Sequence, residues 1–152
     1  MLEVGAPVPT HPVKTDTGET VSLADFRGQR LMLFFYPKAD TQACTAEACE
    51  IRDEFAGFGD LGVTVVGVSP DPVKAQAKFK SKYSLPFTLL ADEDHILAEA
   101  FGVWALKKFM GREYMGVLRT TYIVEADGTI GHVFPGVTAK GHARQVLDAL
   151  RD

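Results

Sequence analysis

Two cysteines, Cys44 and Cys49, are the residues of this chain whose type and spacing best suit chemistry, and the chain has no others. Four residues separate them, so they do not form a Cys-x-x-Cys motif. A structural zinc site needs four ligands, and the four histidines show no ligand spacing. These histidines are His11, His95, His132 and His142. The cysteine pair therefore indicates thiol chemistry, and neither a metal nor a cofactor is expected.

Cys44 lies at the predicted start of a helix that follows a strand. Free backbone N–H groups and the positive end of the helix dipole then point towards its sulfur, which favours the thiolate. The alternative is a merely buried thiol, because free cysteine is among the most buried residue types and Cys44 also falls on the apolar stripe of the helix. Helix position alone leaves both interpretations open.

Cys49 is predicted at the edge of the packed face of the same helix. In a regular helix, residues five apart have Cα atoms roughly 8 to 9 Å apart, beyond the about 7 Å that a disulfide tolerates. A permanent bridge to Cys44 would be strained, whereas a transient one can form if the helix frays after Cys44 is oxidised to a sulfenic acid. The reduced protein should therefore keep the two sulfurs apart and the helix intact.

The elements that must position the cysteines follow from hydrophobic patterning. Continuous apolar runs predict buried strands at 31–36, 63–68 and 87–90. An amphipathic helix is predicted after the first strand, ended by Gly57 and Gly59, from apolar positions spaced four, three, four and three. Those positions are Cys44, Ala48, Ile51, Phe55 and Phe58. The cysteines are thus placed on a helix that directly follows a buried strand.

Turn residues predict the remaining elements. Hairpins are expected at 13–15 with 20–22 and at 119–124 with 129–134, the second around an Asp-Gly turn. Asp71 is expected to cap a helix that begins at Pro72, and further helices are expected around 95–101 and over 143–150. The segment 105–116 has little periodicity and is predicted to be a loop or a surface excursion.

This order of elements predicts an α/β fold, in which strands alternate with helices before an antiparallel hairpin and a final helix. The named architecture that fits is a thioredoxin-like three-layer sandwich with a mixed β-sheet and an N-terminal β-hairpin. With 46% hydrophobic and 24% charged residues and no linker, residues 1–152 are predicted to form a single domain.

Charge and hydropathy limit the classes of binding partner and the cellular compartments that are expected. The net charge of -4 lacks the basic excess that nucleic acids or anionic membranes require. The N-terminal residues resemble no secretory signal, and no apolar run is long enough to span a membrane. The expectation is a cytoplasmic protein that binds neither nucleic acid nor membrane. In that reducing compartment, neighbouring cysteines are more often redox-active or buried than permanently bridged.

The sequence around the cysteines resembles the peroxiredoxin family. Residues 37–44, PKADTQAC, match the signature P-x-x-x-T-x-x-C, and residues 44–49, CTAEAC, resemble a run found in the bacterioferritin comigratory protein, or peroxiredoxin Q, class. Further matches follow in order: Ser69-Pro70-Asp71, Leu85-Pro86-Phe87 and Arg119-Thr120-Thr121-Tyr122. The chain departs from the pattern at Ala39, Gln42 and Ala43. The resemblance covers nearly the whole sequence.

The resemblance implies a role for each matching residue. Cys44 becomes the peroxidatic cysteine and Cys49 the resolving cysteine, while Pro37, Thr41 and Arg119 complete the peroxide pocket. The implied enzyme is an atypical 2-Cys thiol peroxidase that reduces hydrogen peroxide and organic hydroperoxides. Thioredoxin or a similar dithiol protein would reduce its Cys44–Cys49 disulfide. Since that disulfide is intramolecular, a monomer or weak homodimer is expected.

Two other functions stay open at this stage. A protein dithiol-disulfide oxidoreductase is less consistent with the spacing of Cys44 and Cys49, because a Cys-x-x-Cys pair closes at a helix start without unwinding and this pair does not. A redox sensor without turnover would use oxidation of Cys44 to expose a surface for a partner. Simpler structural roles also exist for the other residues: Thr41 as a helix cap, Pro37 as a strand end and Arg119 as a surface ion pair.

Overall fold

The computed structural model describes residues 1–151 of the 152-residue chain. Over that range the chain forms nine strands and five α-helices. The strands are β1 (Val13–Thr15), β2 (Thr20–Val21), β3 (Arg30–Phe35), β4 (Val63–Ser69), β5 (Thr88–Ala91), β6 (Trp104–Phe109), β7 (Arg112–Val117), β8 (Thr120–Val124) and β9 (Ile130–Phe134). The helices are α1 (Gln42–Asp53), α2 (Phe55–Asp60), α3 (Val73–Tyr83), α4 (Ile96–Ala100) and α5 (His142–Arg151).

Seven of these strands form one mixed sheet in the order β2-β1-β5-β4-β3-β8-β9. β4 runs parallel to both β3 and β5, whereas β8 pairs antiparallel with β3 and with β9. Because β3 and β4 lie at the centre and are covered on both faces, they consist almost entirely of buried β-branched, aliphatic and aromatic residues. The predicted α/β class with a mixed sheet is confirmed.

Alternation along β3 divides the core into two layers of side chains. Met32 and Phe34 point into a cluster formed with helices α1, α2, α3 and α5, while Leu31, Leu33 and Phe35 point into a second cluster formed with α4. The sheet therefore lies between two packed layers, which confirms the predicted three-layer arrangement. Cys44 belongs to the first cluster.

The predicted hairpins and the final helix are confirmed. β1 and β2 form the N-terminal hairpin, β8 and β9 flank the Asp-Gly turn, and α5 closes the chain. A short 3₁₀ helix, Leu23–Phe26, follows β2. Ser22 caps it, accepting a hydrogen bond from the Ala24 N–H, and Asp25 accepts one from the Ser22 N–H.

The helix that carries the cysteines is shorter than predicted. Its apolar stripe continues from α1 into α2, but the backbone breaks at Glu54, which separates the two helices. Gly57 and Gly59 lie inside α2 instead of ending it. The helical run ends before Gly62, whose positive φ of 70° reverses the chain. The periodicity identified the buried face correctly, but it carried no information about a break within that face.

Residues 105–116 were predicted to lack regular secondary structure, and this part of the prediction was wrong. This segment forms an antiparallel hairpin of β6 and β7, which turns at Met110 and Gly111, both with positive φ. Most of its side chains are exposed, so the predicted surface excursion is correct, whereas the predicted absence of regular structure is not. A hairpin that is exposed on both faces lacks the alternation of hydrophobic and polar residues that identifies a half-buried strand.

Candidate active site

Cys44 lies in the first turn of α1, at the end of a buried strand. β3 ends at Phe35, residues 36–41 turn the chain, and α1 begins at Gln42. Cys44 is only 2% exposed and packs in the core cluster with Tyr36 and Ala48. The predicted position at a helix start is therefore confirmed, and so is the burial that the simpler interpretation of Cys44 required.

Arg119 reaches Cys44 from the neighbouring strand. Antiparallel pairing of β3 with β8 places Phe35 opposite Thr120, so the residue before Thr120 falls beside the turn that follows β3. The Arg119 Nη2 donates to the Cys44 Sγ at 3.3 Å. Its side chain is 14% exposed, so Arg119 is not a solvated surface ion pair. The structure brings together these two predicted site residues, which are 75 positions apart in the chain.

Glu47 is a member of this cluster that sequence reasoning missed. Its Oε1 accepts a hydrogen bond from the Arg119 Nη1 at 2.7 Å, and its side chain is fully buried. Among the described residues, no partner reaches its Oε2. Burial raises the pKa of Glu47 to about 7, and the charge of Arg119 opposes that rise. A signal was present, because Glu47 lies three residues after Cys44 and hence on the buried face of the helix.

Thr41 and Pro37 lie in the turn before α1. Thr41 occupies the N-cap position, but its side chain caps no helical N–H and instead donates a hydrogen bond to the Lys38 carbonyl oxygen at 2.9 Å. Pro37 is half-buried, two residues after the end of β3. Within residues 1–151, the Thr41 hydroxyl has no hydrogen bond to Cys44. The structure thus places both residues in the turn that leads to Cys44, with the hydroxyl of Thr41 bonded to Lys38 and not to the sulfur.

Asp71 holds this turn in place and does not cap a helix as predicted. Its Oδ2 accepts hydrogen bonds from the Ala39 N–H at 2.7 Å and from the Ser69 hydroxyl at 2.6 Å. Pro72 takes the N-cap position of α3, and the helix begins at Val73. The carboxylate of Asp71 is used for a contact between segments 32 residues apart, which local capping rules cannot anticipate.

Asp40, the next residue in the turn, is held by the end of α3. Its backbone has a positive φ of 60°, and its carboxylate accepts hydrogen bonds from the Lys82 Nζ and the Tyr83 hydroxyl. These donors, Lys82 first, hold the pKa of Asp40 below its usual range. The turn that leads to Cys44 is therefore bonded to β4 through Asp71 and to α3 through Asp40.

A second cation lies close to the Cys44 and Arg119 pair. Lys107, on β6, is partly buried, and its Nζ donates a hydrogen bond to the Val117 carbonyl oxygen at 3.0 Å. Burial lowers the pKa of Lys107, the positive charge of Arg119 lowers it further, and the charge of Cys44 opposes both effects. The β6–β7 hairpin therefore borders the site, although sequence reasoning assigned it no role.

His142 is hydrogen-bonded to β8, the strand that follows Arg119. It is buried, and its Nε2 is hydrogen-bonded to the Thr121 hydroxyl at 2.6 Å. Burial lowers the pKa of His142 to about 4, and the charge of Arg119 contributes to that fall. His142 is therefore neutral at physiological pH. Within residues 1–151, the His, Cys, Asp and Glu side chains form no cluster of three or more that would hold a metal ion.

Cys49 lies one and a half turns further along α1 and is half-buried. Both cysteines are free, and the helix is continuous from Gln42 to Asp53. Three residues after Cys49, the Arg52 Nη1 donates a hydrogen bond to the Tyr83 carbonyl oxygen at 2.8 Å. The predicted state of the reduced protein, with free thiols on an intact helix, is confirmed. None of the described helices is long and apolar enough to cross a membrane.

Comparison with known proteins adds independent information. The model of the AhpC/TSA family matches residues 4–133. Peroxiredoxin Bcp of Bacillus subtilis is 44% identical over 151 residues, covering 99% of this chain and 96% of the relative.

Solved structures of similar proteins agree with this match. A Cys-to-Ser mutant of Xylella fastidiosa PrxQ is similar at a TM-score of 0.93 and 30% identity, covering 99% of this chain and 96% of that structure. The bacterioferritin comigratory protein of Xanthomonas campestris, described for its alkyl peroxide reduction activity, is similar at 0.90 and 31%, with the same coverage. These similarities confirm the predicted thioredoxin-like fold.

Proposed function

The chain belongs to the AhpC/TSA family of peroxiredoxins, and we propose that it reduces hydroperoxides through a Cys44 thiolate, with Arg119 as the cation that stabilises the transition state. The hydrogen bond from the Arg119 Nη2 to the Cys44 Sγ carries this proposal. Because Cys44 is nearly inaccessible to water, a fixed cation acts there with little screening.

In the first step, the Cys44 sulfur attacks the terminal oxygen of the hydroperoxide and the O–O bond breaks. Cys44 becomes a sulfenic acid, and the oxygen that leaves takes up a proton to become water or an alcohol. Negative charge develops on that oxygen, and the guanidinium of Arg119 offers it donors within a rigid, permanently charged fork. Glu47 fixes the other side of the guanidinium and thereby orients it towards Cys44.

Pro37 and Thr41 complete the pocket in this proposal. Pro37 ends the strand beside the sulfur and limits access of bulk water. Thr41 offers a hydroxyl that can turn from the Lys38 carbonyl towards a bound hydroperoxide, since a threonine side chain rotates about a single bond. Support for both roles comes from their match to the family signature and from their place in the turn held by Asp71.

Cys49 resolves the sulfenic acid in the second step. Its sulfur attacks the Cys44 sulfur, water leaves, and an intramolecular disulfide forms. An intact helix keeps these residues too far apart for a disulfide, so α1 must unwind locally between them. A dithiol protein of the thioredoxin type then reduces the disulfide, becoming oxidised itself. The half-buried position of Cys49 supports this role, because little packing must be broken to release it.

The organic hydroperoxides in the proposed substrate range are supported by the similar Xanthomonas campestris protein and its alkyl peroxide reduction activity. The proposal also includes a single domain over residues 1–152 and a cytoplasmic location, where a thioredoxin system would keep both thiols reduced. Since the disulfide joins two residues of one chain, a monomer or weak homodimer is sufficient for the cycle.

Substitution of each cysteine tests the proposal. Cys44→Ser should lower the rate of peroxide consumption by about a thousandfold or more, because it removes the nucleophile. Cys49→Ser should complete one normal turnover and then stall as a sulfenic acid. Stopped-flow kinetics with one equivalent of hydrogen peroxide, followed by mass spectrometry, distinguishes the two. Peroxide consumption at the parent rate by Cys44→Ser would contradict the proposal, and sustained thioredoxin-driven turnover by Cys49→Ser would remove Cys49 from the resolving role.

A further inference from the structure

The β6–β7 hairpin exposes an unusual amount of apolar surface. Five of its large apolar side chains are between 46% and 87% exposed, whereas comparable residues of the main sheet are almost entirely buried. The five are Leu106, Phe109, Met110, Tyr114 and Met115. Large apolar side chains left exposed together on one hairpin of a folded domain mark an interaction site.

The hairpin has two faces of different character. Its register pairs Lys107 with Tyr114 and Phe109 with Arg112 on one face, which we term the Lys107 face. The other face, which we term the Leu106 face, pairs Leu106 with Met115 and Lys108 with Glu113. The Leu106 face continues at its base into Trp104 and Val117, which pack in the core cluster that contains α4.

The Lys107 face is the one that borders the active site. Lys107 folds back along the hairpin to bond the Val117 carbonyl oxygen, two residues before Arg119. Its stem crosses Gly116, where a Cβ would lie 3.1 Å from the Lys107 Cδ, so the small residue permits this close packing. The charges of Arg119 and Cys44 both act on Lys107. A protein that bound this face would thus lie at the rim of the Cys44 pocket.

The charge of the Lys107 face favours one class of binding partner over another. It carries two cations, Lys107 and Arg112, and no carboxylate, since the one acidic residue of the hairpin, Glu113, lies on the other face in an ion pair with Lys108. Symmetric pairing of two copies through this face would bring like charges together, which opposes self-association. A partner with an apolar centre and an acidic rim is complementary to it.

We propose that the Lys107 face is the docking surface for the dithiol protein that reduces the Cys44–Cys49 disulfide, and that this reductant presents an apolar surface rimmed by carboxylates around its dithiol. The inference rests on the proposed function. In the step it serves, a reductant thiolate attacks one sulfur of the bridge, which breaks the Cys44–Cys49 bond, forms a mixed disulfide and releases the other cysteine. The second reductant thiol then attacks the reductant sulfur of the mixed disulfide and releases the remaining cysteine. The reductant leaves as a disulfide, and Cys44 and Cys49 become thiols again.

Matched substitutions on the two faces test this surface. Phe109→Ala removes a 66% exposed apolar group from the Lys107 face, and Leu106→Ala removes a 56% exposed one from the Leu106 face. With thioredoxin, thioredoxin reductase and NADPH at saturating hydrogen peroxide, Phe109→Ala should lower kcat/KM for thioredoxin by about tenfold, as loss of an interface hot spot does. Leu106→Ala should change it by less than about twofold. Arg112→Glu should also raise the KM for thioredoxin and weaken its dependence on salt.

Four control measurements separate docking from other roles of this face. Reduction by dithiothreitol, which needs no docking surface, should proceed at the parent rate in all three variants, and so should the first reaction with hydrogen peroxide. Equal losses of kcat/KM for thioredoxin in Phe109→Ala and Leu106→Ala would overturn the proposal. A slower first reaction with cumene hydroperoxide in Phe109→Ala would instead assign the face to substrate binding. A concentration-dependent mass in sedimentation that Phe109→Ala abolishes would assign it to self-association.

Failure of the docking surface and failure of the proposed function give different results. If the parent protein consumed no peroxide even with dithiothreitol, the proposed function would fail and no docking surface for a reductant would be needed. If dithiothreitol supports turnover and the faces do not differ with thioredoxin, the peroxidase stands and the docking surface fails.

Discussion

The two cysteines lie on one helix, but different forces hold their surroundings. The face of α1 that carries Cys44 is fixed by burial, because Glu47, Ala48 and Ile51 on the same face are also withdrawn from water. The face that carries Cys49 is half-exposed and is held by the hydrogen bond from Arg52 to the end of α3. In the proposed cycle, the nucleophile Cys44 is thus positioned by packing that is costly to disrupt, while the proposed resolving residue Cys49 is held by contacts that water can replace.

This difference between the two faces suits the proposed catalytic cycle, because its two steps have different structural requirements. Attack on a peroxide requires a fixed geometry between the sulfur, the cation and the substrate, which a rigid core supplies. Formation of the disulfide requires a helix segment to leave its place. The break between α1 and α2 at Glu54 lies five residues after Cys49, so unwinding around Cys49 need not propagate into α2.

The largest difference between the two faces is expected from substitution of Arg119, which acts only on the face of α1 that carries Cys44. Arg119→Met should lower the second-order rate constant for hydrogen peroxide by about 10²- to 10³-fold, because it removes a preorganised donor from a buried site. Closure of the disulfide after oxidation should proceed at nearly the parent rate. Stopped-flow fluorescence that resolves oxidation from closure measures both steps.

A second arginine of the same sheet provides the control. Arg30, at the opposite end of β3, forms an ion pair with Glu125 that is about one-third exposed. Arg30→Met should leave both rate constants unchanged, since Arg30 lies far from Cys44 along the strand. If Arg30→Met lowered the rate constant for hydrogen peroxide as much as Arg119→Met, the effect would come from a loss of stability and not from the position of the charge.

The next largest effect is expected on the free energy of unfolding, through Glu47 on the buried face of α1. Burial raises the folded-state pKa of Glu47 from 4.5 to about 7, so between these values the folded protein binds more protons than the unfolded chain. This contribution is fully present below pH 4.5 and is lost as pH rises through 7. Relative to Glu47→Gln, the parent should therefore lose about 2.5 kcal/mol of unfolding free energy between pH 5 and 8. Urea denaturation of both proteins across this range measures the difference.

His142 should show the opposite pH dependence and thus serves as the control. Its pKa is lowered from 6.5 to about 4, so its contribution is present above pH 6.5 and is lost as pH falls towards 4. His142→Gln should remove that dependence while leaving the dependence due to Glu47 intact. A stability difference between parent and Glu47→Gln that is constant with pH would show that Glu47 titrates normally in the folded protein.

The sequence predicted the elements better than it predicted the contacts between them. Periodicity and turn residues identified the central strands, the terminal helix and the helix that carries Cys44, because each depends on residues close together in the chain. The role of Asp71 was wrong because its acceptor oxygen is used by a backbone N–H 32 residues away. Such a contact exists only once the sheet has aligned the ends of β3 and β4.

The candidate site was also predicted in part. Cys44 and Arg119 were identified and the structure places them in contact. Glu47 was missed because a charged residue on a buried face contradicts the pattern that defined that face, although this contradiction is itself a signal of function. The hairpin at 104–117 was missed because the two faces of its exposed part have mixed polarity, so neither hydrophobic period was present.

The smallest effect is expected on the Cys49 face, at Arg52. Arg52→Met keeps most of the aliphatic stem but removes the donor to the Tyr83 carbonyl oxygen, so this part of α1 becomes easier to release. One hydrogen bond contributes about 0.5 to 1.5 kcal/mol, so closure of the Cys44–Cys49 disulfide should accelerate by about two- to tenfold. Oxidation of Cys44 should be unchanged. Competition between closure and a sulfenic-acid trap such as dimedone measures the change in closure rate.

A lysine at the same position separates the hydrogen bond from the rest of the side chain. Arg52→Lys keeps the charge and a donor, so it should close more slowly than Arg52→Met and nearer to the parent rate. If closure were equally fast in the parent and both variants, the Arg52 contact would not limit unwinding. The barrier would then lie in the packing of the Cys44 face, and the two faces of α1 would have to move together in each cycle.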